Sequence, residues 1–65
     1  MSVNERIRSA FEACIKMKTI ASKSEVSYYR ISSVVNPDRY KGESSFDKHE
    51  SKRINDAIDL IKSAL

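Results

Sequence analysis

MKTIASKSEVSYYRISSVVN, residues 17 to 36, is the stretch that decides the fold. Its apolar residues fall at Ile20, Ala21, Val26, Ile31 and Val34, and the turn-type residues Ser24 and Ser27 flank the centre. That spacing predicts two short helices, over about 17–24 and about 27–36, joined by a tight turn. Ala21 is small enough to let the pair pack closely. Neither helix would persist alone, because helices under ~12 residues are marginal in water. Packing against the flanking segments must hold them. Ser27 is placed to cap the second helix by accepting a hydrogen bond from a free backbone N–H of its first turn. Asn36 ends it, since the residue before Pro37 is driven out of helical geometry.

Toward the N-terminus, Ser2 and Glu5 have capping-box spacing. Ile7, Ala10, Phe11, Cys14 and Ile15 then form one apolar stripe, predicting an amphipathic helix over about 3–16 with Cys14 as a small core residue. Toward the C-terminus, PDRYKGESSF (37–46) reads as a loop. Asp47 and Glu50 form a second capping-box pair, with Phe46 placed to staple the helix start. Ile54, Ala57, Ile58, Ile61, Ala64 and Leu65 mark a last helix over about 48–64. The expected fold class is all-α: a compact bundle of four to five helices, one domain over residues 1–65.

A chain of 65 residues buries only about 60% of its unfolded surface, so it has little stability to spare. The lone Cys14 allows no internal disulfide, and the single His49 leaves no zinc-ligand spacing. Oligomerisation is the remaining aid, so a homodimer is expected, with Ile58, Ile61 and Leu65 as interface candidates beside their core role. No nucleophile–base pairing and no phosphate-cradling glycine loop is present, so neither an enzyme, a cofactor nor a small-molecule substrate is expected. His49 reads as surface, as do Asp56 and Asp59 beside Lys52 and Lys62. No stretch approaches the ~20 apolar residues of a membrane span, and no basic start leads into an apolar run. With one unpaired cysteine, this composition suits a reducing cytoplasm. The net charge is +3. Residues 1–36 carry Arg6, Arg8, Lys16, Lys18, Lys23 and Arg30 against Glu5, Glu12 and Glu25, while the rest of the chain balances. The surplus therefore sits with the two central helices, and such a surplus favours polyanions through counterion release.

With four helices placed, residues 17–36 resemble the helix-turn-helix of the lambda repressor and Cro superfamily of phage and bacterial regulators. The matching residues are Ile20 and Ala21 in the first helix, Val26 just after the turn, and Ile31 and Val34 on the buried side of the second. Two positions depart from the family pattern: Glu25 stands where glycine is usual in the turn, and Met17 where glutamine is favoured. A non-glycine residue in the left-handed conformation costs roughly 1 kcal/mol. The resemblance implies a stand-alone Cro-type regulator of a phage, prophage or other mobile element, associated with the nucleoid of a bacterial host. It also implies that the loop after the second motif helix lies beside the DNA backbone.

A reading helix enters the major groove with its N-terminal residues nearest the base edges. Ser27, Tyr28 and Tyr29 are at that end, and Ser32 and Ser33 are expected one turn later on the face opposite Ile31 and Val34, making these five the base-contact candidates. Tyr28 offers its ring to a thymine methyl or its hydroxyl to a phosphate. Lys16, Lys18, Arg30, Asn36, Arg39, Tyr40 and Lys41 are the phosphate candidates, the last three as a basic-aromatic group in the loop. Each cation alone reads equally well as solvated surface, and each tyrosine as partly buried. The expected function is a sequence-specific, dimeric repressor on a double-stranded, pseudo-palindromic operator with half-sites about 10 bp apart. The alternative is a protein-binding helix-turn-helix module, an antitoxin-type partner or adaptor, for which Glu25 and Met17 leave room.

Overall fold

Five isoleucines, Ile7, Ile20, Ile31, Ile54 and Ile58, are fully buried in the computed structural model, which describes residues 2–64. Each helix contributes at least one: α1 (Val3–Glu12), α2 (Met17–Ser24), α3 (Tyr28–Val35) and α4 (Lys48–Ser63). Fully burying one such side chain stabilises the fold by about 1.5–3 kcal/mol, which makes this cluster the main cohesive element. Ala10, Ile15, Met17, Ala21, Val26, Val34 and Ile61 extend it. The fold is all-α, with no strand among the described residues. The C-terminal segment is helical, and no helix is long and apolar enough to cross a membrane among those residues.

The starts of α1 and α4 follow their sequence signals, α1 with the serine half of its capping box and α4 with both halves. Ser2 Oγ accepts from Glu5 N at 3.2 Å. Asp47 Oδ1 accepts from Glu50 N at 2.8 Å while Glu50 Oε1 accepts from Asp47 N at 3.2 Å, a complete capping box. Ser27 sits at the N-cap of α3 but its side chain makes no capping bond, contrary to expectation, and Lys16 caps α2 no better. The two central helices are thus held by packing, as their length demands.

The first helix ends earlier than its apolar stripe suggests, at Glu12 instead of about residue 16. Cys14 takes a left-handed φ of 68°, its N–H donates to Phe11 O, and Ile15 N–H donates to Ala10 O at 3.0 Å. This is the hydrogen-bond pair of a Schellman ending. The reversal swings Ile15 into the core and leaves Cys14 exposed, so Cys14 is not the core residue expected. A related left-handed ending, with both bonds on one carbonyl, closes α2. Glu25 sits at φ 59° and ψ 31°, and both Glu25 N–H and Val26 N–H donate to Ala21 O, which delivers Val26 to the core. The sterically costly conformation expected for Glu25 is the one it adopts.

The helices α2 and α3 pack on each other, α2 and α1 both pack on α4, and α1 also meets α3. Ile58 and Ile61 face inward, at 0% and 9% exposure, because α4 is the floor under α1 and α2. They are filled by core packing and have no surface to offer a dimer, while Leu65 lies outside the described residues. Replacing Cys14 or Glu25 by glycine removes the left-handed penalty. Each substitution should raise stability by about 1 kcal/mol, or Tm by about 4–8 °C in a chain of this size, measured by thermal circular dichroism.

Candidate nucleic-acid interface

The third helix is exposed mainly at its first turn. Ile31, Ser32, Ser33 and Val34 are consecutive buried residues, whereas Ser27, Tyr28 and Tyr29 are open to solvent, Tyr29 at 68%. With Ile31 and Val34 directed into the core, the 3.6-residue period turns Tyr29 outward, while Tyr28, three residues before Ile31, lies on the flank of the buried face and is 44% exposed where it opens the helix. Tyr28 and Tyr29 meet edge to face with centroids 5.8 Å apart, and Tyr29 leans on Tyr40 at 6.2 Å. The Arg39 guanidinium lies 5.8 Å from the Tyr40 ring centroid. The tip of the loop is thereby joined to the start of α3. Tyr28, Asn36, Arg39 and Tyr40 border one cleft.

Three sequence candidates are placed otherwise than expected. Ser33 is 2% exposed, its hydroxyl donating to Arg30 O at 2.6 Å and accepting from Ser44 N at 3.0 Å, with Ser44 Oγ 2.8 Å away. Ser32 is 6% exposed. The reading of these two serines as an outward face is therefore corrected: loop residues 43–46 cover one flank of α3, and the α1 and α2 side covers another. Arg30 is committed as well. Its guanidinium pairs with both carboxylate oxygens of Glu50, donates to Ser45 O at 2.8 Å, and stacks 5.0 Å over the Phe46 ring. As a phosphate candidate it is corrected to a clasp holding the loop and the start of α4 against α3.

The rest of the strap comes from residues the sequence reading passed over. Asn4 donates to Glu43 Oε1 at 2.6 Å and to Ser44 O at 3.0 Å, and Arg8 pairs with the other Glu43 oxygen at 3.0 Å. These partners lie 35 to 40 residues apart in the chain, where no local spacing rule reaches. Phe46 is half-buried against the core, under the Arg30 guanidinium.

On α2, Lys16, Lys18 and Lys23 line a second hollow of about 370 Å³ with Thr19 and Ser22, and no acid borders it. Arg39, Lys41 and these three lysines enter no ion pair among the described residues, and the same is true of Lys48, Arg53 and Lys62 on α4. Arg6, by contrast, is taken up by Asp59. Compared with protein families, with curated proteins and with solved structures, the chain finds no match.

The clasp leaves an electrostatic signature. Hydrogen bonding to Arg30, then to the Asp47 backbone, holds the Glu50 carboxyl below its ordinary value, and the same bond raises Arg30. Glu43 is lowered by Asn4 first and by the charge of Arg8. A carboxylate with a lowered folded pKa contributes stability that is complete above the ordinary carboxylate range and is lost as pH falls through the folded value. Thermal melts from pH 7 down to pH 2 should therefore show Tm falling on the acid side. Glu50→Gln should melt lower at pH 7 and lose less on acidification. An acid limb unchanged by the substitution would contradict the clasp.

Proposed function

We propose that this chain is a sequence-specific DNA-binding regulator of the Cro-like kind, with α2 and α3 as its helix-turn-helix. One observation carries this reading. Burial of α3 beyond its first turn leaves a short reading edge, Ser27, Tyr28 and Tyr29, with the unpaired Arg39 and Lys41 beside it on a strapped loop. That is the arrangement a groove reader needs, since base edges are met by the N-terminal residues of the helix and phosphates by its surroundings. Lys16 and Lys18, at the start of α2, supply a second phosphate contact with Asn36 and Tyr40. The tyrosine rings suit thymine methyl groups, and Ser27 adds a hydrogen bond of either sense. The regulator acts as a homodimer occupying a pseudo-palindromic operator. With Ile58 and Ile61 in the core, Leu60, 57% exposed, is the apolar side chain α4 still offers to a second copy.

The exposure of Phe11 and Leu60 supports the other reading, a protein-binding module of antitoxin or adaptor type. Fluorescence anisotropy on duplexes selected from a random pool separates the two. A DNA reader should enrich a palindromic consensus and lose affinity steeply with salt. Arg39→Ala with Lys41→Ala should flatten the log–log salt slope by about 0.9 per lost phosphate contact. Tyr28→Ala should weaken the selected site by about tenfold, roughly one base contact, while leaving random duplex nearly unchanged. Failure to enrich any sequence would favour the protein-binding module.

A further inference from the structure

A cleft of about 260 Å³ opens between the C-terminal part of α1, the start of α2, and α3 with the turn that follows it. Its walls carry the rings of Phe11, Tyr28 and Tyr40 and the thioether of Met17, with Asn36 and Arg39 at the rim. Ser32 also lines it, and Ser32 Oγ is the one buried side-chain polar atom without a hydrogen-bond partner among the described residues. The other two buried serines behave differently. Ser24 Oγ donates to Ile20 O at 2.6 Å and Ser33 Oγ donates to Arg30 O. An orphaned buried hydroxyl is uncommon, because leaving it unpaired incurs the desolvation cost of the group with nothing to offset it. Arg39 has no carboxylate partner, and no acidic residue borders the cleft.

We propose that this cleft is a binding site for a small aromatic carboxylate. The volume falls just below the range of drug-sized sites, which limits the occupant to about one ring. Ring edges and faces of Phe11, Tyr28 and Tyr40, with the sulfur of Met17, are partners for an aromatic plane. The Arg39 fork matches a carboxylate in geometry and charge. Ser32 Oγ lies beneath the cleft surface, closed to solvent, so the carboxylate is met by Arg39. A bare inorganic anion would use Arg39 but would gain nothing from Phe11 and Met17. Tyr28, Asn36, Arg39 and Tyr40 are shared with the proposed DNA face, so an occupant and DNA compete. Binding of the acid itself needs no DNA and is measured separately from that function.

The test is a two-dimensional amide NMR titration of the full chain with benzoate, using benzyl alcohol and cyclohexanecarboxylate as controls. Saturable shifts should centre on Phe11, Met17, Ser32 and Asn36, with a Kd on the order of millimolar, as suits so small a molecule. Both controls should bind at least about fivefold more weakly, one lacking the charge for Arg39 and the other the ring for the aromatic walls. The surface variant Arg39→Gln should weaken benzoate about tenfold without lowering Tm, whereas Ser32→Ala, whose hydroxyl lies beneath the cleft surface, should bind as the parent does. The proposal is overturned if no shift saturates, if shifts map to Lys16 and Lys23 instead, if cyclohexanecarboxylate binds as well as benzoate, or if Arg39→Gln binds undiminished.

Discussion

Short helices need abrupt endings, and in this chain those endings are made almost without glycine. Gly42 is the sole glycine, yet Cys14, Glu25 and Lys41 all stand at positive φ. Each non-glycine residue held there costs roughly 1 kcal/mol. At Cys14 and Glu25 the offset is visible, because the residue that follows, Ile15 or Val26, is delivered into the isoleucine cluster. Without those two reversals, α1 would run on past α2 and α3 would lose its angle to α2. The position of the exposed tyrosines is thus a downstream result of where two backbone carbonyls, Ala10 O and Ala21 O, receive their last hydrogen bonds.

A second layer of order is polar. Arg30, Ser33, Asn4 and Arg8 reach across to residues 43–50 and strap the second half of the long connection to α1, α3 and α4. The first half, carrying Arg39, Tyr40 and Lys41, is left to meet solvent while its root is held. Groups fixed before a partner arrives lose less conformational freedom on binding, which raises affinity without any added contact. Surface ion pairs alone contribute little to stability. Here their role is positional, and Arg30 gains geometry from a two-oxygen grip on Glu50.

The helical architecture was readable from local pattern. Period-3.6 stripes located all four helices, and Asp47 with Glu50 announced the start of α4 as it is found. What misled was any inference that needed to know a helix's second neighbour. Ile58 and Ile61 read as dimer candidates beside their core role because the stripe does not say that α2 lies upon it. Ser32 and Ser33 looked outward because serine is polar, but an eight-residue helix clasped on several sides has few outward positions. Cys14 matched the stripe of a helix that had already ended. Arg30 could be read only as a long cation, since its partner Glu50 is 20 residues away. Tyr29 is legible because its direction follows from Ile31 and Val34, whereas Tyr28, on the flank of the Ile31 face, is open only because it begins the helix.

The packing of α2 on α4 has a consequence for how the molecule comes into being. Those two helices are separated by α3 and the whole 36–47 connection, so their contact closes a long loop of chain whose entropy is lost before any burial is gained. The helix pair at the centre cannot therefore mature on its own and wait for the C-terminus. Ile20 is buried in a cluster to which all four helices contribute, so its burial is complete only with α4 in place. A domain of this size gains its order cooperatively, and the tyrosine edge shares the fate of the core that carries it.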